Sequence, residues 1–275
     1  MNNLANTETI VDFEAIKAKQ QATWGSGNYA AVGSTLQLVG ELLCESANLA
    51  SGSEVLDVAA GNGNATLAAA RRFCHVTSTD YVESLLEAGK KRSQANGFSV
   101  DFKYADVENL PFAANRFDAV ISTFGCMFAP NQVQTAAEMV RVCRPGGTVA
   151  TANWTPGGFI GQVFGLIGRH LPPPAGVNSP ARWGDAVGVR EIFPDEAIVS
   201  DIVHRHHNFR YCSVEHFLDY FKNYYGPILK AFEALGDDAV HLEQDLRQLL
   251  TSMNTATDGT LVLPSEYIEV IMKVK

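Results

Sequence analysis

From residue 55 onward the sequence predicts an α/β fold on a parallel sheet, and three observations carry that prediction. Short runs rich in β-branched residues alternate with helical stretches. The runs at 54–59 and 117–123 are apolar almost throughout, as strands covered on both faces must be. Glycine and proline punctuate the alternation, notably at Gly97 and at Pro145-Gly146-Gly147.

Taken in order, the N-terminal part from Ile10 to Asn48 reads as helical around a Gly25-Ser26-Gly27 break. Glu54–Ala59 is the first strand, and Asn64–Phe73 is a helix whose alanines allow close packing on the sheet. His75–Thr79 is the second strand, followed by a helix over Val82–Ala95 that Gly97 stops as a left-handed cap. Val100–Tyr104 and Phe117–Thr123 are the third and fourth strands. A helix over Gln132–Cys143 breaks at Pro145-Gly146-Gly147, which turns the chain into a fifth strand, Thr148–Asn153.

After Trp154 the pattern loosens. Thr155–Phe193 holds Gly157-Gly158, Pro172-Pro173-Pro174 and Asn178-Ser179-Pro180, and reads as a cap over the active face. Ile198–Tyr211 supplies a sixth strand, Val214–Leu235 and Leu242–Met253 helices, and Tyr267–Val274 a final strand. With no internal repeat and no low-complexity linker, one domain over 1–275 is expected. Its parts are a helical lid (1–50), a core (51–154), a cap or substrate region (155–197) and C-terminal strands and helices (198–275).

A chain of 275 residues, 46% hydrophobic and 19% charged, has the composition of an ordinary globular protein. A formal charge of -9 with no clustered Lys/Arg argues against a nucleic-acid substrate. Cys44, Cys74, Cys126, Cys143 and Cys212 are scattered, odd in number and without CxxC spacing, so neither disulfides nor zinc are expected. The opening residues lack the order of a secretory signal, and no apolar run reaches the roughly 20 residues of a membrane helix. A cytoplasmic location is expected, as a monomer or a homodimer.

Ligands of parallel sheets bind outside the carboxyl ends of the strands, so the loop after the first strand comes first. It reads Asp57-Val58-Ala59-Ala60-Gly61-Asn62-Gly63, with the next helix opening at Asn64. Glycines 61 and 63 permit positive φ and close approach to backbone N–H groups, and the helix offers the positive end of its dipole. Gly-x-Gly alone fits a tight turn equally well. Asp80, at the end of the second strand, suits a carboxylate that accepts from both ribose hydroxyls; the lesser alternative is an N-cap for the helix over Val82–Ala95.

Two features turn the choice of cofactor away from a dinucleotide. The third fingerprint glycine would fall at Thr66, and Asp57 stands ahead of the turn. A carboxylate there repels a pyrophosphate and attracts an α-amino group, which favours S-adenosylmethionine over NAD(P). The alternatives carried forward are an NAD(P)-dependent reductase and a non-catalytic S-adenosylmethionine-binding protein.

Over about Trp24 to Trp154 the chain resembles the class I S-adenosylmethionine-dependent methyltransferases, closest in look to the small-molecule enzymes of ubiquinone/menaquinone biosynthesis. Asp57 to Gly63 stands where the family has acid-x-Gly-x-Gly-x-Gly, with Ala59 in place of the first glycine. Asp80 matches the ribose-binding acid, with Tyr81 beside it. Ala105-Asp106-Val107, followed by Leu110-Pro111-Phe112, matches the adenine-amino motif. Phe117-Asp118-Ala119-Val120 matches the fourth strand, and Arg144-Pro145-Gly146-Gly147 the turn before the fifth.

The resemblance implies a Rossmann-like three-layer sandwich with a mostly parallel seven-stranded sheet, its last strand antiparallel, plus N-terminal helices and a cap insertion. It implies methyl transfer to a small-molecule acceptor, with S-adenosylhomocysteine as product. Asp57, Ala59, Gly61, Gly63, Asn64, Asp80, Tyr81, Asp106, Val107, Ser122 and Thr123 are expected at the cofactor, and Tyr29 as a cover over its methionine portion. Asp118, at a strand start, is read as structural. Phe124 is expected near cofactor or substrate, and Phe128 near the methyl donor or in the core.

Displacement at a sulfonium needs near-attack geometry more than a catalytic triad. No catalytic residue is assigned; His170 and His206 are the candidate bases. In His204-Arg205-His206-His207 a strand would point His204 and His206 one way and His207 the other, with no Cys or carboxylate at motif spacing, so no metal is expected. Arg182 and Trp183 are expected to wall the substrate, and Tyr220, Tyr224 and Tyr225, at helical spacing, to pack.

Overall fold

The computed structural model describes residues 11–275. Seven strands make one sheet: β1 (Glu54–Asp57), β2 (His75–Asp80), β3 (Asp101–Tyr104), β4 (Phe117–Thr123), β5 (Cys143–Trp154), β6 (Ala197–Tyr211) and β7 (Leu261–Val274). Their order is β3-β2-β1-β4-β5-β7-β6. β1 to β5 are parallel, and β7 runs antiparallel between β5 and β6. This is the helix-flanked, mostly parallel sheet with an antiparallel last strand that the sequence and its family resemblance predict. β6 consequently runs with the first five strands and brings its carboxyl end to the same edge of the sheet.

The central strands form because they are covered on both faces. Val55, Leu56, Val120, Ile121, Val149 and Ala150 are all fully buried. Helix α4 (Asn64–Arg71) lies close on the sheet, with Ala65, Ala68 and Ala69 inaccessible. At the position of the missing third glycine, the Thr66 hydroxyl donates to Asp57 Oδ2 at 2.6 Å and lies 2.8 Å from Ser78 Oγ. A side chain thus fastens α4 to β1 and β2 where a dinucleotide fold has a glycine that lets the helix pack close on the strand.

Before the sheet come α1 (Phe13–Trp24), α2 (Tyr29–Gly33) and α3 (Gln37–Ser46), with the Gly25-Ser26-Gly27 break between the first two. Ile10, where the expected helical region opens, lies outside the described residues. Helices α5 (Glu83–Ala95) and α6 (Gln132–Val142) complete the β/α steps. The stretch 155–197, expected as a cap over the active face, folds as α7 (Phe159–His170), a 3-10 turn (Pro180–Gly184) and α8 (Ala186–Ile192), and of it only Ile160 lines the cavity at the carboxyl edge of the sheet. Then α9 (Val214–Tyr224), α10 (Gly226–Leu235) and α11 (Ala239–Met253) lead to β7.

Beyond shifts of one to three residues at other element ends, the structure differs from expectation in three places. Cys143 opens β5 rather than closing a helix. Register passes from Phe117↔Cys143 to Ala119↔Thr148, so Arg144-Pro145-Gly146-Gly147 is a bulge inside the strand opposite Asp118. Gly146 sits at φ +77, and a Cβ on Gly147 would come within 2.7 Å of the Arg144 carbonyl. The stretch 214–235 is two helices, because Pro227 cannot continue α9. β7 begins at Leu261, not Tyr267. Residues 261–266 pair with β6 alone, where the missing Pro264 N–H is tolerated.

Candidate active site at the carboxyl edge of the sheet

The chain moves outward from β1 to β3 and then returns to β4 on the other side of β1. Loops diverge at that switch and leave a crevice. A cavity with about 1100 Å³ of atom-free space, counting its open mouth, occupies it. Its wall takes Ala59 to Asn62 from the loop after β1, Asp80 to Val82 from β2, Ala105 to Val107 from β3 and Thr123 to Gly125 from β4. Trp154 and Phe209 reach it from β5 and β6.

The loop after β1 turns through three left-handed residues: Ala59 (φ 47), Gly61 (φ 57) and Gly63 (φ 83). Two are glycines, for which that conformation is free. Ala59 pays for it with about 1–2 kcal/mol of steric strain. Its carbonyl lies so near Gly125 that a Cβ there would come within 2.1 Å, which welds the β1 and β4 loops together.

Asp80 holds that turn. Its Oδ2 accepts the Gly61 N–H and its Oδ1 the Val82 N–H, each at 2.8 Å. Asp80 is not the N-cap of α5, which is Val82 without a side-chain bond; the carboxylate closes the turn ahead of that helix, and lone pairs remain for a ligand on the cavity side. Burial, opposed by these backbone N–H groups, pushes the Asp80 carboxyl up to about 6. Asp57 lies behind the turn instead of on the cavity wall. Thr66 satisfies Oδ2, Oδ1 has no hydrogen-bond partner, and burial pushes the carboxyl up to about 7.

At the β3 end, Asp106 Oδ1 accepts the Glu108 N–H at 2.9 Å and Oδ2 accepts Lys17 Nζ at 2.8 Å. Of the expected cofactor residues, Tyr29, Ala59, Gly61, Asn64, Asp80, Tyr81, Asp106, Val107 and Thr123 line the cavity. Asp57, Gly63 and Ser122 stand behind it; Ser122 Oγ donates to the Val58 carbonyl at 2.9 Å and accepts the Cys126 N–H at 3.2 Å. Burial, reinforced by the Asp80 charge, pushes the Tyr29 phenol up to about 12.

Neither candidate base reaches the cavity. His170 Nε2 pairs with Asp245 at 2.9 Å on α11, and His206 is exposed on the outer side of β6. His207 turns inward, as strand alternation requires, with its ring 4.7 Å from Phe209; burial, then the Arg210 charge, lowers its pKa to about 4. The expected substrate wall at Arg182 and Trp183 is not there either. Trp183 is fully buried against Phe193, and Arg182 pairs with Glu191.

Aromatic residues make the other wall. Trp24 meets Phe128 at 5.0 Å, Tyr29 at 5.5 Å and Tyr225 at 5.9 Å between ring centroids. Phe124, Trp154, Phe209 and Phe221 continue it. Tyr225, expected to be plain packing, is on the wall because the break before Pro227 turns it inward; Lys17, Phe209 and Phe221 were not anticipated. The carboxyl-edge rule applied to the sixth strand would have found Phe209.

Residues 55–147 match a methyltransferase domain family. An uncharacterized protein of Mycobacterium tuberculosis, Rv1403c, is 41% identical over 219 residues, covering 78% of this chain and 79% of that protein. The ubiquinone/menaquinone biosynthesis C-methyltransferase UbiE of Bartonella bacilliformis is 41% identical over 102 residues, 35% of this chain and 39% of that enzyme. The chain belongs to the class I S-adenosylmethionine-dependent methyltransferases. Among solved structures, a putative methyltransferase from Bacillus halodurans has a similar fold: TM-score 0.57 at 21% identity, covering 84% of this chain and 96% of that one. YcgJ from Bacillus subtilis superposes with a TM-score of 0.58 at 17% identity, over 85% and 97% of the two chains. Membership of a methyltransferase class sets aside the nicotinamide-dependent reductase. Among the described residues no helix is long and apolar enough to cross a membrane, and no group of three or more His, Cys, Asp or Glu could hold a metal ion.

Proposed function

We propose that the chain transfers the methyl group of S-adenosylmethionine to a small, uncharged, apolar organic acceptor by in-line displacement. The observation that carries this is the division of one cavity into two chemically different ends. The charged residues on the described wall are Lys17, Asp80 and Asp106, all on or against the loops after β2 and β3; the rest of the wall is largely aromatic and aliphatic.

At the polar end, Asp80 accepts from the ribose hydroxyls and Asp106 from the adenine amino group, with Val107 against the purine. Gly61 lets the donor lie close to the backbone. Asp57 acts from behind, holding the turn through Thr66. The donor supplies a methyl on a sulfonium, already a good leaving group. Trp24, Tyr29, Phe124 and Tyr225 hold the acceptor against it and keep water out, so that positioning provides most of the acceleration. No imidazole or carboxylate stands on the aromatic part of the described wall, which favours an acceptor that needs no strong base.

Incubation with methyl-labelled donor and a panel of phenols, hydroquinones and aryl thiols, each beside a carboxylated or phosphorylated counterpart, tests this. Label is expected in the neutral, organic-extractable products. Transfer confined to the charged counterparts, or to none of the panel, would contradict it.

A further inference from the structure

Helix α1 presents Lys17, Gln20 and Gln21 on one face, at the i, i+3 and i+4 spacing that makes helix neighbours. Each reaches a different loop at the carboxyl edge. Lys17 Nζ donates to Asp106 Oδ2 at 2.8 Å after β3, and Gln20 Nε2 donates to the Phe128 carbonyl at 2.9 Å after β4. Gln21 Nε2 donates to the Tyr81 carbonyl after β2. Seven residues beyond Lys17 on the same helix, Trp24 packs on Phe128 and Tyr225. One element therefore touches both ends of the cavity.

Lys17 is not an ordinary surface lysine. Its side chain is 14% exposed, with Glu14 at 2.6 Å, Asp106 at 2.8 Å and Glu108 at 3.4 Å. Burial opposes its charge, but hydrogen bonds to Asp106 and Glu14 and the charges of Asp106 and Glu108 outweigh it and raise its pKa above the usual lysine value. With Oδ1 held by the Glu108 N–H and Oδ2 by Lys17, the Asp106 carboxylate has one fixed orientation, and a carboxylate so held keeps lone pairs free for a third donor.

We propose that Lys17 is a positioning residue for the methyl donor: by fixing Asp106 it sets recognition of the purine amino group, and it makes that recognition depend on α1 being seated over the cavity. This rests on the donor site proposed above. An α1 that lifts removes the cation from Asp106 and Trp24 from the acceptor wall in one motion, so a loosely held donor goes with an open acceptor end.

The test is calorimetric titration of wild type, K17M, K17R, D106N and K17M/D106N with S-adenosylhomocysteine, and with the same thioether carrying purine in place of adenine. Melting curves report whether each variant is folded. K17M is expected to weaken S-adenosylhomocysteine about tenfold, the scale of one contact to a charged group. K17R should recover most of that loss, and K17M should add little in the D106N background. The amino-free analogue should bind wild type and K17M alike. Equal weakening of both ligands by K17M, or none, would overturn the positioning role. Failure of folded wild type to bind S-adenosylhomocysteine would instead remove the donor site itself.

Discussion

The ring of Phe124 lies flat on the indole of Trp154, with centroids 3.8 Å apart and planes 1° from parallel. Phe124 achieves this from a left-handed backbone, φ 61, which is costly for a bulky side chain. The strain sits at the end of β4, on the cavity wall, where packing over-determines it. It turns the aromatic ring across the sheet edge to the end of β5, joining the loop that carries Gly125 to the aromatic end of the cavity.

Replacing Phe124 by alanine should cost about 3 kcal/mol by removing a buried ring. Glycine there should be more stable than alanine by about 1 kcal/mol, the reverse of the usual order, because only glycine adopts this φ without penalty. Urea unfolding of F124A and F124G decides it. A less stable glycine variant would show that the backbone is not strained.

Glu269 on β7 is fully buried and answers to Arg205 of β6, whose Nε lies 2.8 Å from its Oε2, and to Ser46 of α3. Arg205 Nε does not meet hydrogen-bond geometry, so the pair is an ion contact more than a directed bond. R205M should destabilise the chain by about 3 kcal/mol, because it leaves a carboxylate buried without its cation. R205M/E269M should regain most of that stability. A double variant as unstable as the single one would mean that packing, not charge, is lost.

Asp57 gives stability a pH dependence. Burial pushes its folded pKa up to about 7, while an unfolded aspartate titrates near 3.9. Between those values the folded chain holds a proton that the unfolded chain has released, so stability falls as pH rises from about 4 to about 7. Asp80, pushed up to about 6, adds to the same trend. His207, lowered to about 4, works in the opposite direction below about pH 6.5 and does so in wild type and variant alike. Relative to wild type, D57N should therefore lose on the order of 2 kcal/mol of the stability that Asp57 adds at pH 5 and not at pH 8. Denaturant midpoints across the range measure it; a D57N profile parallel to wild type would show that Asp57 titrates normally.

Much of the fold was readable because buried strands announce themselves. Val55-Leu56 and Val120-Ile121 need apolar residues on both faces, and the sequence has no other use for them. Pro-Gly-Gly signals a break whether in a turn or in a bulge, and only the register opposite Asp118 makes Arg144–Gly147 a bulge. Within the site, carboxylates at strand ends were visible as candidates, but their direction was not. Asp57 faces Thr66 of α4, whereas Asp80 lines the cavity and holds the Gly61 and Val82 N–H groups, a difference that only the three-dimensional packing reveals. The aromatic wall was the least legible part. Trp24, Phe209 and Tyr225 come from elements far apart in sequence, and their apolar side chains look the same in a core as around a ligand.

In the proposed function, the polar end of the cavity holds the methyl donor through Asp80. Calorimetric titration of S-adenosylhomocysteine into wild type and D80A tests it most directly. One ligand should bind per wild-type chain, with affinity at least tenfold weaker in D80A, the scale of losing a charged acceptor. Equal affinity in the two folded proteins, or no binding to wild type, would contradict it.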